Sequence, residues 1–131
     1  MQLVYIAGKY SGDDYLEIDV NIAKAREAAA WCARHGIGFF APHLNSAHFE
    51  VVTPTVDPEF WYQLDLEFLQ RCQAILLLDG WEESHGARHE AELADQIGMP
   101  RFIWDDGFPV AEGGDLWLAE WYRRDAVESG I

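Results

Sequence analysis

The run AILLLD at residues 74 to 79 constrains this chain more than any other feature. Its apolar residues follow one another without the alternation of a half-solvated strand, so both faces of the strand need cover. A strand of that kind sits in the middle of a parallel sheet with helices packed above and below. The rest of the sequence supplies those helices.

LVYIAG (residues 3 to 8) is a short apolar run stopped by Gly8 and reads as a buried strand. Residues 11 to 17 read as a polar loop. DVNIAKAREAAAWCARHG then places Ile22, Ala25, Ala29, Cys32 and Ala33 at helical spacing, with Gly36 as the stop. IGFFAP follows as a second strand, ended by Pro42. Strand, helix and strand in this order form a right-handed crossover unit with parallel strands.

Residues 43 to 57, HLNSAHFEVVTPTVD, read as a loop too long for a plain connection, and such loops tend to be lids or binding loops. PEFWYQLDLEFLQRC opens with Pro58 and carries Phe60, Trp61, Leu64, Phe68 and Leu69 at helical spacing. After the central strand comes a helix over about 86 to 97, ended by Gly98, and PRFIW as a fourth strand. DDGFPVAEGG reads as loop. A terminal helix over about 114 to 129 carries Trp117 and Trp121, which need a surface to cover: the domain's own sheet or a partner subunit. The order predicts one α/β domain over residues 1 to 131, a three-layer sandwich with a mostly parallel sheet of four or five strands, Rossmann-like or flavodoxin-like.

Nine Lys and Arg against 23 Asp and Glu leave a formal charge of −14. That surface repels polynucleotides and anionic membranes, and no basic cluster exceeds Arg123-Arg124. Cys32 and Cys72 lack metal-ligand spacing and read as core thiols in a reducing compartment. The first residues carry neither a basic stretch nor a long apolar one, so the expected location is cytoplasmic.

In a sheet of this kind ligands collect beyond the carboxyl ends of the strands, which gathers GKYSGDD, PHLNSAH and DGWEESHGARHE around one crevice. With Ser84 at a helix N-cap and Gly86 in the first turn, a hydroxyl and unpaired N–H groups face that crevice as a plausible anion site. Glu90 lies one turn beyond Gly86 on the same face, with room above its carboxylate. A capped helix with a solvated Glu90 is the plainer reading of the same residues. Asp65 sits between apolar neighbours, one turn after Trp61, where shielding favours its protonated form; a solvated Asp is the alternative. Together the two carboxylates could divide nucleophile and acid in glycosidic cleavage.

Tyr10 is placed either to hold a carboxylate or simply to pack, and Gly8 lets backbone pass close to a ligand. A G-x-G-x-x-G pattern is absent, which disfavours a nicotinamide, and no cofactor is expected. His43, His48, His85 and His89 lack an H-E-x-x-H arrangement, so no metal is expected either.

YIAGKYSG and WYQLDLEFLQRCQAILLLDGWEESHGARHEAELADQIGMP, with their spacing, resemble the nucleoside 2-deoxyribosyltransferase-like superfamily over residues 3 to 104, especially its small bacterial and phage branch near the nucleoside 5'-monophosphate N-glycosidases. The resemblance implies transfer of 2-deoxyribose between bases, or hydrolysis of the N-glycosidic bond of nucleoside 5'-monophosphates. It implies Glu90 as the glutamate nucleophile, Asp65 as the residue assisting the leaving base, and Tyr10 as the residue orienting the nucleophile or lining the sugar pocket. Gly8 and Gly86 match positions of close approach. Ser84, six before the glutamate, matches the phosphate-binding serine of the nucleotide hydrolases, which favours a monophosphate substrate.

Ser11, beside Tyr10 in the first segment, is a further binding candidate. Arg88 and Lys9 are candidate cations, although Lys9 departs from the usual Pro. His43, Asn45 and Asp57 are candidate base readers in the loop. The resemblance further implies a homodimer or larger homo-oligomer with a small nucleotide or nucleoside as ligand. Non-catalytic nucleotide sensing and a protein-interaction role are the competing classes.

Overall fold

The computed structural model describes residues 1–111 and 117–128; the expected start of the terminal helix at 114 and its end at 129 lie outside them. Five strands form one sheet: β1 (Leu3–Ala7), β2 (Gly38–Phe40), β3 (Ala74–Leu77), β4 (Arg101–Asp105) and β5 (Phe108–Ala111), in the order β2-β1-β3-β4-β5. The first four are parallel, and β5 runs antiparallel to β4. This is the mostly parallel α/β sandwich that the continuous apolar run of β3 demands, and every residue of β3 is buried.

Side chains alternate across each strand, and the two faces bury separate cores. Val4, Ile6, Ala74, Leu76 and Phe102 face α1 (Tyr15–Arg34) and α6 (Leu118–Glu128). Tyr5, Ala7, Ile75 and Leu77 face α4 (Pro58–Gln70) and α5 (His85–Gln96). The tail helix covers the domain's own sheet: Leu118 is fully buried, Trp121 packs on Phe102, and the Tyr122 hydroxyl donates to the Gln2 carbonyl at 2.8 Å. Trp121 thus finds its cover within the domain, whereas Trp117 stays 40% exposed, edge-on to Phe108.

Three segments differ from the sequence reading. α1 begins at Tyr15, within the expected loop, because Asp14 accepts from the Glu17 N–H at 2.8 Å while the Glu17 carboxylate accepts from the Asp13 N–H at 2.9 Å, a reciprocal cap. DDGFPVAEGG is not all loop. Asp106 and Gly107 both take positive φ, the signature of a two-residue hairpin turn, and they fold β5 back onto β4. Pro109 is tolerated there because β5 is an edge strand.

The third difference bears on the site. The long segment after β2 holds two short helices, α2 (Pro42–Asn45) and α3 (Phe49–Val52), and forms a folded flap. Its contacts run to the loop after β1 and to α1. The His48 N–H donates to the Tyr10 hydroxyl at 2.8 Å, and His48 Nε2 lies 3.1 Å from Asp19 Oδ1.

Candidate active site

A cavity of about 440 Å³ opens beyond the carboxyl ends of β1 and β3, between the flap, α4 and α5. Of the residues anticipated from sequence, Gly8, Tyr10, Ser11, His43, Asp65, Ser84, Gly86 and Glu90 line it. Residues far apart along the chain therefore converge as the topology requires.

Glu90 projects from α5 toward the sheet and is buried, with 9% of its surface exposed. Tyr5 is on the same face of β1 as the α4/α5 core, and its hydroxyl donates a hydrogen bond to Glu90 Oε2. Burial raises the Glu90 carboxyl to about 8; the Tyr5 bond opposes that rise, and the Asp65 carboxylate adds to it. Tyr5 is itself pushed well above its ordinary value, by burial first and then by the charge of Glu90. Asp65, one turn after Trp61 on α4, is raised to about 6 by burial alone. Its Oδ1 has no hydrogen-bond partner among the described residues. Two shielded carboxylates facing one cavity can divide nucleophile and acid roles; with Glu90 ionising above Asp65, an ionised Glu90 beside a protonated Asp65 is the minor protonation state of the pair.

Ser84 caps α5, accepting from the Ala87 N–H at 3.2 Å, as the S-H-G-A sequence predicts. Gly86 leaves empty space: a Cβ placed there meets nothing within 4 Å. Gly8 fits close against its own sheet, since a Cβ there would stand 3.0 Å from the Leu78 side chain. His43 is buried on α2 of the flap, with Nε2 3.0 Å from the Lys9 carbonyl. Burial holds its imidazole below its ordinary value.

Tyr10 lines the cavity, but its hydroxyl is engaged elsewhere. It donates to Glu50 Oε1 at 2.7 Å and accepts from the His48 N–H. The phenol that orients Glu90 is Tyr5, which the sequence reading passed over. A signal was present: in LVYIAG, Tyr5 alternates with Val4 and Ile6, and a tyrosine on a buried strand needs a partner for its hydroxyl. Ser46, Glu50, Trp61 and Tyr62 also line the cavity and were not anticipated as site residues.

Four anticipated residues do not line it. Asp57 is the N-cap of α4, accepting from the Glu59 N–H at 2.9 Å. Asn45 is exposed on α2. Lys9 Nζ lies 3.6 Å from Glu17 Oε1, and Arg88 Nη1 donates to the Glu82 carbonyl at 3.4 Å. Neither cation reaches the cavity wall. Among the described residues no group of three or more His, Cys, Asp or Glu could hold a metal ion, and both cysteines are buried and free. No described helix is long and apolar enough to cross a membrane.

The fold is similar to the solved structure of a 2-deoxyribosyltransferase from the psychrotolerant bacterium Bacillus psychrosaccharolyticus. The TM-score is 0.54, with 18% sequence identity over 77% of this chain and 70% of that chain. At that identity the likeness is one of fold. No curated protein matches the chain in sequence. Residues 2–102, which include Tyr5, Asp65, Glu90 and the whole cavity wall, match the family model described as Domain of unknown function (DUF4406), and the chain belongs to that family.

Proposed function

We propose that the protein cleaves the N-glycosidic bond of a nucleoside-type substrate, with Glu90 as nucleophile and Asp65 as acid. The observation that carries this reading is the meeting of two buried, unequally shielded carboxylates in one cavity, one of them held by Tyr5.

The ionised Glu90 oxygen attacks C1' of the sugar and forms an ester bond while the C1'–N bond breaks. Its electron pair leaves on the base nitrogen, which takes a proton from Asp65. Water then attacks the same carbon, gives its proton to the Asp65 carboxylate and displaces Glu90. The products are free base and a sugar with retained configuration. A second base in place of water gives base exchange. Tyr5 holds Glu90 in line and lowers the cost of its charge in a dry site. Gly86 leaves the space above Glu90 that the sugar ring needs.

Ser84 and the open first turn of α5 favour a second form of this reading, in which the substrate carries a 5'-phosphate. Cleavage then gives free base and a 5-phosphosugar. Incubating the purified protein with a panel of nucleosides and nucleoside 5'-monophosphates, and measuring free and exchanged base, tests the function. Release or exchange by the wild type and not by Glu90→Ala supports it. Intact substrate throughout the panel contradicts it.

A further inference from the structure

The flap contributes a carboxylate to the cavity that the reaction does not use. Glu50, on α3, lines the same space as Glu90 and Asp65. Its position is fixed from outside: the Tyr10 hydroxyl donates to Oε1 at 2.7 Å, and the same hydroxyl accepts the His48 N–H at 2.8 Å. Tyr10 is thus saturated, and it turns Glu50 into an oriented acceptor on a chain of hydrogen bonds. Oε2 takes no part in that chain.

His43, also on the flap, has the same polarity. Nε2 is within hydrogen-bond reach of the Lys9 carbonyl, which can only accept, so that nitrogen carries the proton. Nδ1 of the neutral ring is then a bare acceptor, buried and without a partner among the described residues. Of the two, the Glu50 carboxylate is the acceptor that is not sealed in the interior. The charged lining of the described cavity is Glu50, Asp65 and Glu90, with no Lys or Arg.

We propose that Glu50, oriented by Tyr10, is the specificity-determining residue of the site: it accepts N–H or O–H donors of an uncharged nucleoside and disfavours the corresponding 5'-monophosphate. This rests on the nucleoside reading above and chooses between its two forms. A cavity of 440 Å³ has an equivalent diameter of about 9 Å, comparable with the roughly 8 Å over which charges interact in physiological salt. A phosphate dianion in the half of the cavity nearest Glu50, an exposed side chain, feels its charge, with no Lys or Arg in the described lining to offset the repulsion. Ser84 and the first turn of α5 then face a neutral hydroxyl as readily as a phosphate. Two parts of a nucleoside present donors to Glu50, an amino-substituted base and the sugar hydroxyls, and both share the chemistry claimed.

The test compares wild type with Glu50→Gln and Tyr10→Phe on matched compounds: a 2'-deoxynucleoside, its 5'-monophosphate, its analogue lacking the base amino group and its analogue lacking the 3'-hydroxyl. Glu50→Gln keeps the acceptor for Tyr10 and removes the charge. Base release and calorimetric binding are read in parallel. Wild type is expected to use the nucleoside at least tenfold better than the monophosphate, and one of the two donor deletions to weaken it about tenfold, which names the donor. Glu50→Gln should cut the nucleoside preference about tenfold, with the loss in KM; Tyr10→Phe should do the same more weakly. A wild type that prefers the monophosphate, or a preference unchanged in Glu50→Gln, overturns the proposal.

If no compound is cleaved, the glycosidic reading fails, and binding alone decides the role of Glu50. A preference for the nucleoside that collapses in Glu50→Gln supports it. Equal binding by both proteins overturns it.

Discussion

The hydroxyl of Tyr5, on the first strand, donates a hydrogen bond to Oε2 of Glu90, eighty-five residues later on α5. That contact ties the central sheet to the candidate nucleophile and works against burial, which alone would hold Glu90 protonated. Tyr5→Phe removes the donor without changing ring volume. The Glu90 carboxyl should rise further, moving the alkaline limb of the pH–rate profile upward and lowering the plateau below it, with activity at neutral pH down roughly 10-fold to 100-fold. A profile that does not move would remove Tyr5 from the mechanism.

Stability should depend on pH in the sense opposite to an ordinary salt-bridged carboxylate. Glu90 titrates near 8 when folded, above its ordinary value of 4.5, and Asp65 near 6, above 3.8. Between those limits the folded chain binds more protons than the unfolded chain, so unfolding free energy falls as pH rises from about 4 to about 8. The contribution is complete below the unfolded values and gone above the folded ones. Glu90→Gln, neutral at every pH, should flatten the curve and stabilise the protein at pH 8 by on the order of a few kcal/mol. Thermal denaturation of both proteins across that range measures it.

The proposed mechanism needs Glu90 ionised and Asp65 protonated, the minor protonation state of the pair between pH 6 and 8, so activity should be bell-shaped with limbs near 6 and 8 and a plateau carried by that minor fraction. Asp65→Asn cannot supply the proton. It should erase one limb and lower kcat by about 10²-fold to 10⁴-fold, less for substrates whose base leaves without protonation. Steady-state rates on good and poor leaving groups distinguish loss of an acid from loss of structure.

Gly86 offers a test of space. A methyl there meets nothing in the empty protein, and Ala suits a helix better than Gly, so Gly86→Ala should keep or raise the melting temperature. The same methyl would intrude on the cavity beside Glu90, and KM should rise about tenfold. An unchanged KM would place the substrate elsewhere in the cavity.

The fold was legible because its signals are local and strong. The apolar run of β3, the strand–helix–strand opening and the glycine stops point to a three-layer α/β sandwich with a mostly parallel sheet, which is the class observed, while the strand order was not legible. What escaped depended on weaker chemistry. The Asp106-Gly107 turn was overlooked because Pro109 argues against a strand until the strand is known to be an edge. The flap helices are only four residues each, too short for periodicity to register.

Within the site, helical geometry sorts the outcomes. Glu90 and Gly86, four apart, share the cavity face of α5, and Ser84 reaches the cavity as the N-cap before it. Arg88, two residues from Glu90, points away, and Asn45 stands in the same relation to His43. Asp57 was consumed by capping the helix that Pro58 opens. Tyr10 and Tyr5 were confused because sequence alone gives no distance. Tyr5 reaches Glu90 from inside the sheet, while Tyr10, beyond the strand end, turns to the flap.

The central claim, a sugar carried on Glu90, is tested most directly by quenching the protein in acid during incubation with a 2'-deoxynucleoside and recording its intact mass, followed by peptide mapping. The account predicts a species heavier by one deoxyribosyl group, mapped to Glu90, that disappears when a second base is added and never forms in Glu90→Ala. Base release with no adduct in the wild type, or an adduct that persists in Glu90→Ala, would contradict it.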